Sequence, residues 1–90
     1  MQEKNIDVKQ KLKTVLAQVV KKHRKKQQKS ISKISAEIMM TKSMWTDLER
    51  GIKDPQLTTI WKISEALNIP LEEIIKEVKD LLGKDFTLID

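Results

Sequence analysis

Apolar residues recur along the chain at the three-to-four-residue spacing of helices, without the alternation of strands, and only two Gly and two Pro interrupt them. The pattern predicts an all-α chain of five helices joined by short connections. Val8, Leu12, Val15, Leu16, Val19 and Val20 form the apolar stripe of a first helix. Asp7 suits its N-cap, and Gln10 three residues on would complete a capping box. Carried to Gln27, this helix spans about 20 residues, on the order of 30 Å. Ser30 is the next N-cap, followed by Ile31, Ile34, Ser35 and Ile38 on one face of a short second helix that exits at Met39 and Met40. Thr41 caps a third helix, which turns Trp45 and Leu48 inward and ends at a left-handed Gly51. Leu57, Ile60, Trp61, Ile63 and Leu67 predict a fourth helix stopped by Asn68. Pro70 suits the first turn of a fifth, which offers Leu71, Ile74, Ile75, Val78, Leu81 and Leu82 for packing and ends at Gly83. The tail 85–89 has some strand character.

Ninety residues support one core, so a single domain over 1–90 is expected, with its core at about 16–78, an N-terminal extension of the first helix and a tail at 83–90. Hydrophobic residues make up 39% of the chain but aromatics only 3%, so that core is aliphatic. The absence of Cys excludes disulfides, thiol catalysis and Cys-based zinc sites. The lone His23, with no ligand partners at suitable spacing, is not a metal site and reads as a surface or inter-helix residue. No apolar run is long enough to span a membrane, and MQEKNID lacks the apolar stretch of a secretory signal, so a cytoplasmic protein is expected.

Net charge is +5, but it is unevenly placed: residues 1–29 carry +8, residues 30–69 are neutral and residues 70–90 carry −3. A polyanion partner fits the basic third. The run from Lys21 to Lys26 is either a solvated helix face or a source of phosphate contacts through some of Lys22, Lys25, Lys26 and Lys29.

Two short helices joined by a tight turn, the second ending in Glu49, Arg50 and Gly51, describe a helix-turn-helix. The stretch 30–75, SISKISAEIMMTKSMWTDLERGIKDPQLTTIWKISEALNIPLEEII, resembles the phage-repressor and Cro-like family, also called xenobiotic-response-element regulators. Its most specific features are the Glu-Arg-Gly end of the third helix, Pro55 four residues beyond the Gly, and the spacing of Leu57, Ile60, Ile63, Ala66, Leu67, Leu71 and Ile74. The resemblance implies a five-helix, lambda-repressor-like DNA-binding domain, here with extended first and last helices. It implies a buried ion pair between Arg24 and Glu49, where the residues alone leave Arg24 as one more exposed charge. It implies base reading by Lys42, Ser43, Met44 and Asp47, of which Asp47 either accepts from cytosine N4 or is a solvated acid touching nothing. Ser30, Arg50, Lys53, Gln56 and Thr58 would anchor phosphates. Two positions depart from the family: Ile31 stands where Gln often grips phosphate, and Met39 where the turn usually has Gly, forcing a strained left-handed backbone or a shifted turn.

Trp45 and Trp61 are expected in the core rather than as base-stacking groups. Ile6, Val8, Leu12, Val78, Leu81, Leu82, Phe86, Leu88 and Ile89 exceed what the minimal core needs and either pack within the chain or bury in a two-fold dimer. The leading reading is therefore a DNA-binding transcriptional regulator, a repressor acting as a homodimer on a palindromic operator. The alternative is an antitoxin-like or adaptor module that keeps the fold and recognises a protein partner. A basic amphipathic helix over 8–29 lying on a membrane is a third, and no membrane partner is expected. No enzyme is expected: there is no Ser-His-Asp set and no glycine-rich phosphate loop, and Glu72 and Glu73 simply favour a helix N-terminus. No cofactor or metal is expected.

Overall fold

A computed structural model describes residues 2–89, with side chains from Val8 onward. It contains α1 (Gln2–Lys26), α2 (Ile31–Glu37), α3 (Lys42–Glu49), α4 (Leu57–Ala66) and α5 (Leu71–Leu82), with no strand among the described residues. The tail expected to have strand character is irregular after a turn at residues 84–85.

The start of α1 also departs from expectation. Gln2, Glu3 and Lys4 are good helix formers with no Gly or Pro after them, so the helix runs through Asp7, which is an interior position and not its N-cap. The contribution expected of Ile6 lies outside the described side chains. At 25 residues, α1 is about 37 Å long and sets the long axis of a molecule measuring 42 × 24 × 21 Å.

Ser30 and Thr41 cap α2 and α3 as their residue types dictate, accepting from the backbone N–H of Lys33 at 3.1 Å and of Met44 at 3.0 Å. Pro70 is the N-cap of α5, one position earlier than expected, and Glu72 and Glu73 then occupy the first turn, where the helix dipole favours them.

Four helices leave by the same device. Gln28, Met39, Gly51 and Asn68 have φ of 60°, 59°, 75° and 56°, and the residue after each donates back to a carbonyl five positions earlier. This is the Schellman arrangement, in which a left-handed residue lets the chain satisfy the last free carbonyls of the helix. Only one of the four is glycine. Met39 accepts the strained conformation rather than shifting the turn, and Met40 and Ile69, the residues following two of these caps, pack against the core.

The core lies where these helices cross. Val15, Leu16, Val19 and Val20 of α1, Ile34 of α2, Trp45 and Leu48 of α3, Ile63, Ala66 and Leu67 at the end of α4, and Ile74 and Val78 of α5 are all buried. α1 packs most extensively against α5. Of the surplus apolar residues, Leu12 and Leu82 pack on this core, whereas Leu81, Leu88 and Ile89 are exposed.

Trp61 contradicts its expected burial, being 53% exposed, and Leu57 is exposed with it. The reason is angular: at about 100° per residue, Ile60, Ile63 and Leu67 fall within one arc, while Trp61 points about 160° away from Ile63. The apolar set assigned to α4 mixed two faces.

Candidate nucleic-acid interface

The chemistry of α3 begins beneath it. Trp45 and Leu48 are buried and fix the helix against the body. One turn away, Glu49 closes a polar network in which two side chains donate to the same carboxylate. Arg24 donates from Nε to Glu49 Oε2 at 2.5 Å and from Nη2 to Oε1 at 3.0 Å, while Trp45 donates from Nε1 to Oε2 at 2.6 Å. Arg24 Nη1 also donates to the carbonyl of Lys29 at 2.8 Å. The Arg24 and Glu49 side chains are only 11% and 6% exposed, so these bonds operate largely away from water. The hydrogen bond to Glu49 raises the Arg24 pKa above its ordinary value more than burial lowers it, so the guanidinium stays charged. Although Arg24 lies in a run of solvent-facing lysines, its guanidinium joins α1, α3 and the connection before α2. Trp45 is the member that sequence reasoning missed; its i, i+4 spacing to Glu49 was the available signal.

Held in this way, α3 presents its opposite face to solvent. Lys42, Ser43 and Met44 are exposed and Asp47 is half-buried. Met44 shares a shallow groove with Met40, Lys53, Pro55 and Thr59, which brings a proposed base-reading residue beside a proposed phosphate anchor. Ser30, Arg50, Lys53, Gln56 and Thr58 are all exposed. Gln56 is the N-cap residue of α4 but makes no side-chain cap bond among the described residues. Ser30 uses its oxygen as the cap of α2, and Arg50 is the C-cap of α3. Ile31 is half-buried against the core.

The basic run divides by role. Lys22 Nζ lies 2.7 Å from Glu77 Oε1, and His23 Nε2 lies 2.9 Å from Glu77 Oε2, so both tie α1 to α5. Lys22 acts first among the causes that hold the Glu77 carboxyl below the usual carboxylate range. Lys29 donates to Glu37 at 2.9 Å and to the carbonyl of Ala66 at 2.8 Å, and Gln27 donates to the carbonyl of Leu67. These two side chains cap the end of α4, where a cation also favours the helix dipole. Lys22 and Lys29 are thus engaged within the chain, whereas Lys25 and Lys26 are exposed.

A short capped helix, a left-handed turn, and a second helix pinned from below with its outer face free are the parts of a helix-turn-helix, and the profile of a family described as helix-turn-helix matches residues 20–74, more than half the chain. The chain belongs to the phage-repressor and Cro-like helix-turn-helix family. It is a DNA-binding domain of the transcription-regulator class, a family of regulators rather than enzymes. No curated protein matches the chain. In this helix-turn-helix domain α2 and α3 are the two helices of the motif. Among the described residues, no group of His, Asp or Glu could hold a metal ion, and no helix is long and apolar enough to cross a membrane.

Proposed function

We propose that the protein is a transcriptional repressor that binds a palindromic operator as a homodimer in the cytoplasm. Lys42, Ser43, Met44 and Asp47 read base edges, and Ser30, Arg50, Lys53, Gln56 and Thr58 hold phosphates. The observation that carries this reading is the free outer face of α3, with Lys42, Ser43 and Met44 exposed above a buried Trp45 and Leu48. A helix anchored on one side and open on the other fits the major groove, where Lys donates to guanine O6 and N7 and an apolar side chain meets a thymine methyl.

The dimer reading is supported by apolar surface that a lone copy leaves wet: Leu57, Trp61, Leu81, Leu88 and Ile89 are each more than half exposed. A two-fold arrangement buries part of that surface and sets two recognition helices about 34 Å apart, one turn of DNA. Doubling the basic third also adds phosphate attraction that the neutral centre of one copy lacks. Selection from a randomised duplex pool at near-physiological salt tests this. Recovery of an inverted repeat is expected; an unenriched pool would refute the operator reading and leave the protein-interaction module.

A further inference from the structure

α1 begins well before the region that matches the family at residue 20, and this extension touches the loop that leaves the recognition helix. Gln10 Nε2 donates to the carbonyl of Gly51 at 3.0 Å and to Thr14 Oγ1 at 3.1 Å, so the same amide grips the loop and its own helix. Gly51 lies flush against that helix: a Cβ placed there would stand 3.4 Å from Thr14 Cα. At the other end of the loop, Lys9 Nζ lies 3.7 Å from Asp54 Oδ2. Two consecutive residues of α1 therefore meet the two ends of residues 51–54, Gln10 through a hydrogen bond and Lys9 through a solvent-exposed charge pair. Lys53 sits between these two points, and Arg50 immediately precedes them.

We infer that the α1 extension is a clasp for the DNA-contacting loop, in which Gln10 is a positioning residue that sets where Lys53 and Arg50 present their charges to the DNA backbone. The inference rests on the DNA-binding reading above. A phosphate contact is strong only when the cation is already in place, because a mobile lysine gives up rotamer and loop freedom on binding. Within the loop the Gly51 and Ile52 N–H groups are fixed from α3, through the carbonyls of Leu48 at 3.2 Å and Asp47 at 3.1 Å, while the Gly51 carbonyl takes its bond from Gln10. Lys9 adds a charge effect, because Asp54 beside Lys53 would repel a phosphate and a neighbouring ammonium offsets that repulsion.

The test is Gln10→Met, which keeps the length of the side chain and removes both donors. In the free protein the Gly51 and Ile52 amides should exchange faster with solvent while those of α2 keep their wild-type rates. Affinity for a labelled mixed-sequence duplex of about 20 base pairs, roughly two helical turns, should fall roughly three- to ten-fold, the worth of one hydrogen bond. The decisive reading is non-additivity: in a background with both Lys53→Ala and Arg50→Ala, Gln10→Met should cost no further affinity, because the residues it positions are gone. Unchanged exchange, unchanged duplex affinity, or fully additive losses would overturn the clasp. Wild-type protein that binds no duplex refutes the DNA-binding reading and the positioning role together, whereas wild-type binding with Gln10→Met indistinguishable from it refutes the clasp alone.

Discussion

Replacing Met39 by glycine should stabilise the protein. Met39 sits in the turn of the helix-turn-helix at φ 59°, a backbone conformation that costs an L-residue about 1–2 kcal/mol through the approach of Cβ to the following carbonyl. Its side chain is 94% exposed, so truncation forfeits almost no buried surface. Against the relief stands the greater freedom that glycine has in the unfolded chain, about 0.5–1 kcal/mol. Taken at mid-range the difference is a gain of about 0.75 kcal/mol, which for a domain of this size raises Tm by roughly 3–6 °C. Thermal melts followed by far-ultraviolet circular dichroism measure it, with urea titrations checking that the midpoint rises and the slope does not change. Met39→Ala is the control: it trims the side chain but keeps Cβ, and so should gain nothing. Asn68→Gly should gain less than Met39→Gly, because Asn tolerates the left-handed region. A Met39→Gly protein that melts at or below wild type, or an alanine variant that gains as much, would refute the attribution of strain to this turn.

Glu49→Ala should destabilise the domain by about 3–5 kcal/mol, because it strands the Arg24 guanidinium and the Trp45 indole N–H largely away from water. The expected observation is a chain largely unfolded near 37 °C; a cost below about 1 kcal/mol in denaturant titration would show that water replaces the carboxylate. Glu77→Gln should cost about 0.5 kcal/mol at neutral pH, the scale of a partly exposed pair. Because the folded-state pKa of Glu77 lies below its ordinary value, that contribution is complete above the usual carboxylate range and disappears as pH falls through the lowered value. The Tm gap between wild type and variant should therefore close in acid, and a gap that persists at pH 2 contradicts the assignment.

The elements that were legible in the sequence were those whose signal is local. Ser30 and Thr41 announce two helix starts through their side-chain chemistry, Gly51 and Asn68 announce two stops, and the spacing from Leu57 to Ile74 carried the family register. Met39 was legible as a choice between strain and a shifted turn, which the backbone resolves as strain. What was not legible depends on partners distant in sequence. Trp61 falls in a run of apolar residues that fits either of two helix faces, and only the packing of Ile63 and Leu67 selects one. Lys22 and Lys29 look alike within the basic run, yet Glu77 engages one at the surface and the Ala66 carbonyl takes the other against the end of α4. Asp7 is a sound cap by type, and it was overridden because the polar residues before it continue the helix. Gln10 gave no signal of its long-range bond to Gly51, since 41 positions separate them.

In the proposed function the outer face of α3 reads sequence while the loop after it holds the backbone. Lys42→Ala and Lys53→Ala, each measured against the selected duplex and against single-base variants of it across a salt series, test that division most directly. Lys42→Ala should relax discrimination at one or two base pairs, each worth about 1–3 kcal/mol. Lys53→Ala should instead weaken all duplexes alike and lower the salt slope by about one. If Lys42→Ala discriminates among duplexes as wild type does, with the same affinity, α3 does not read the DNA and the account is wrong.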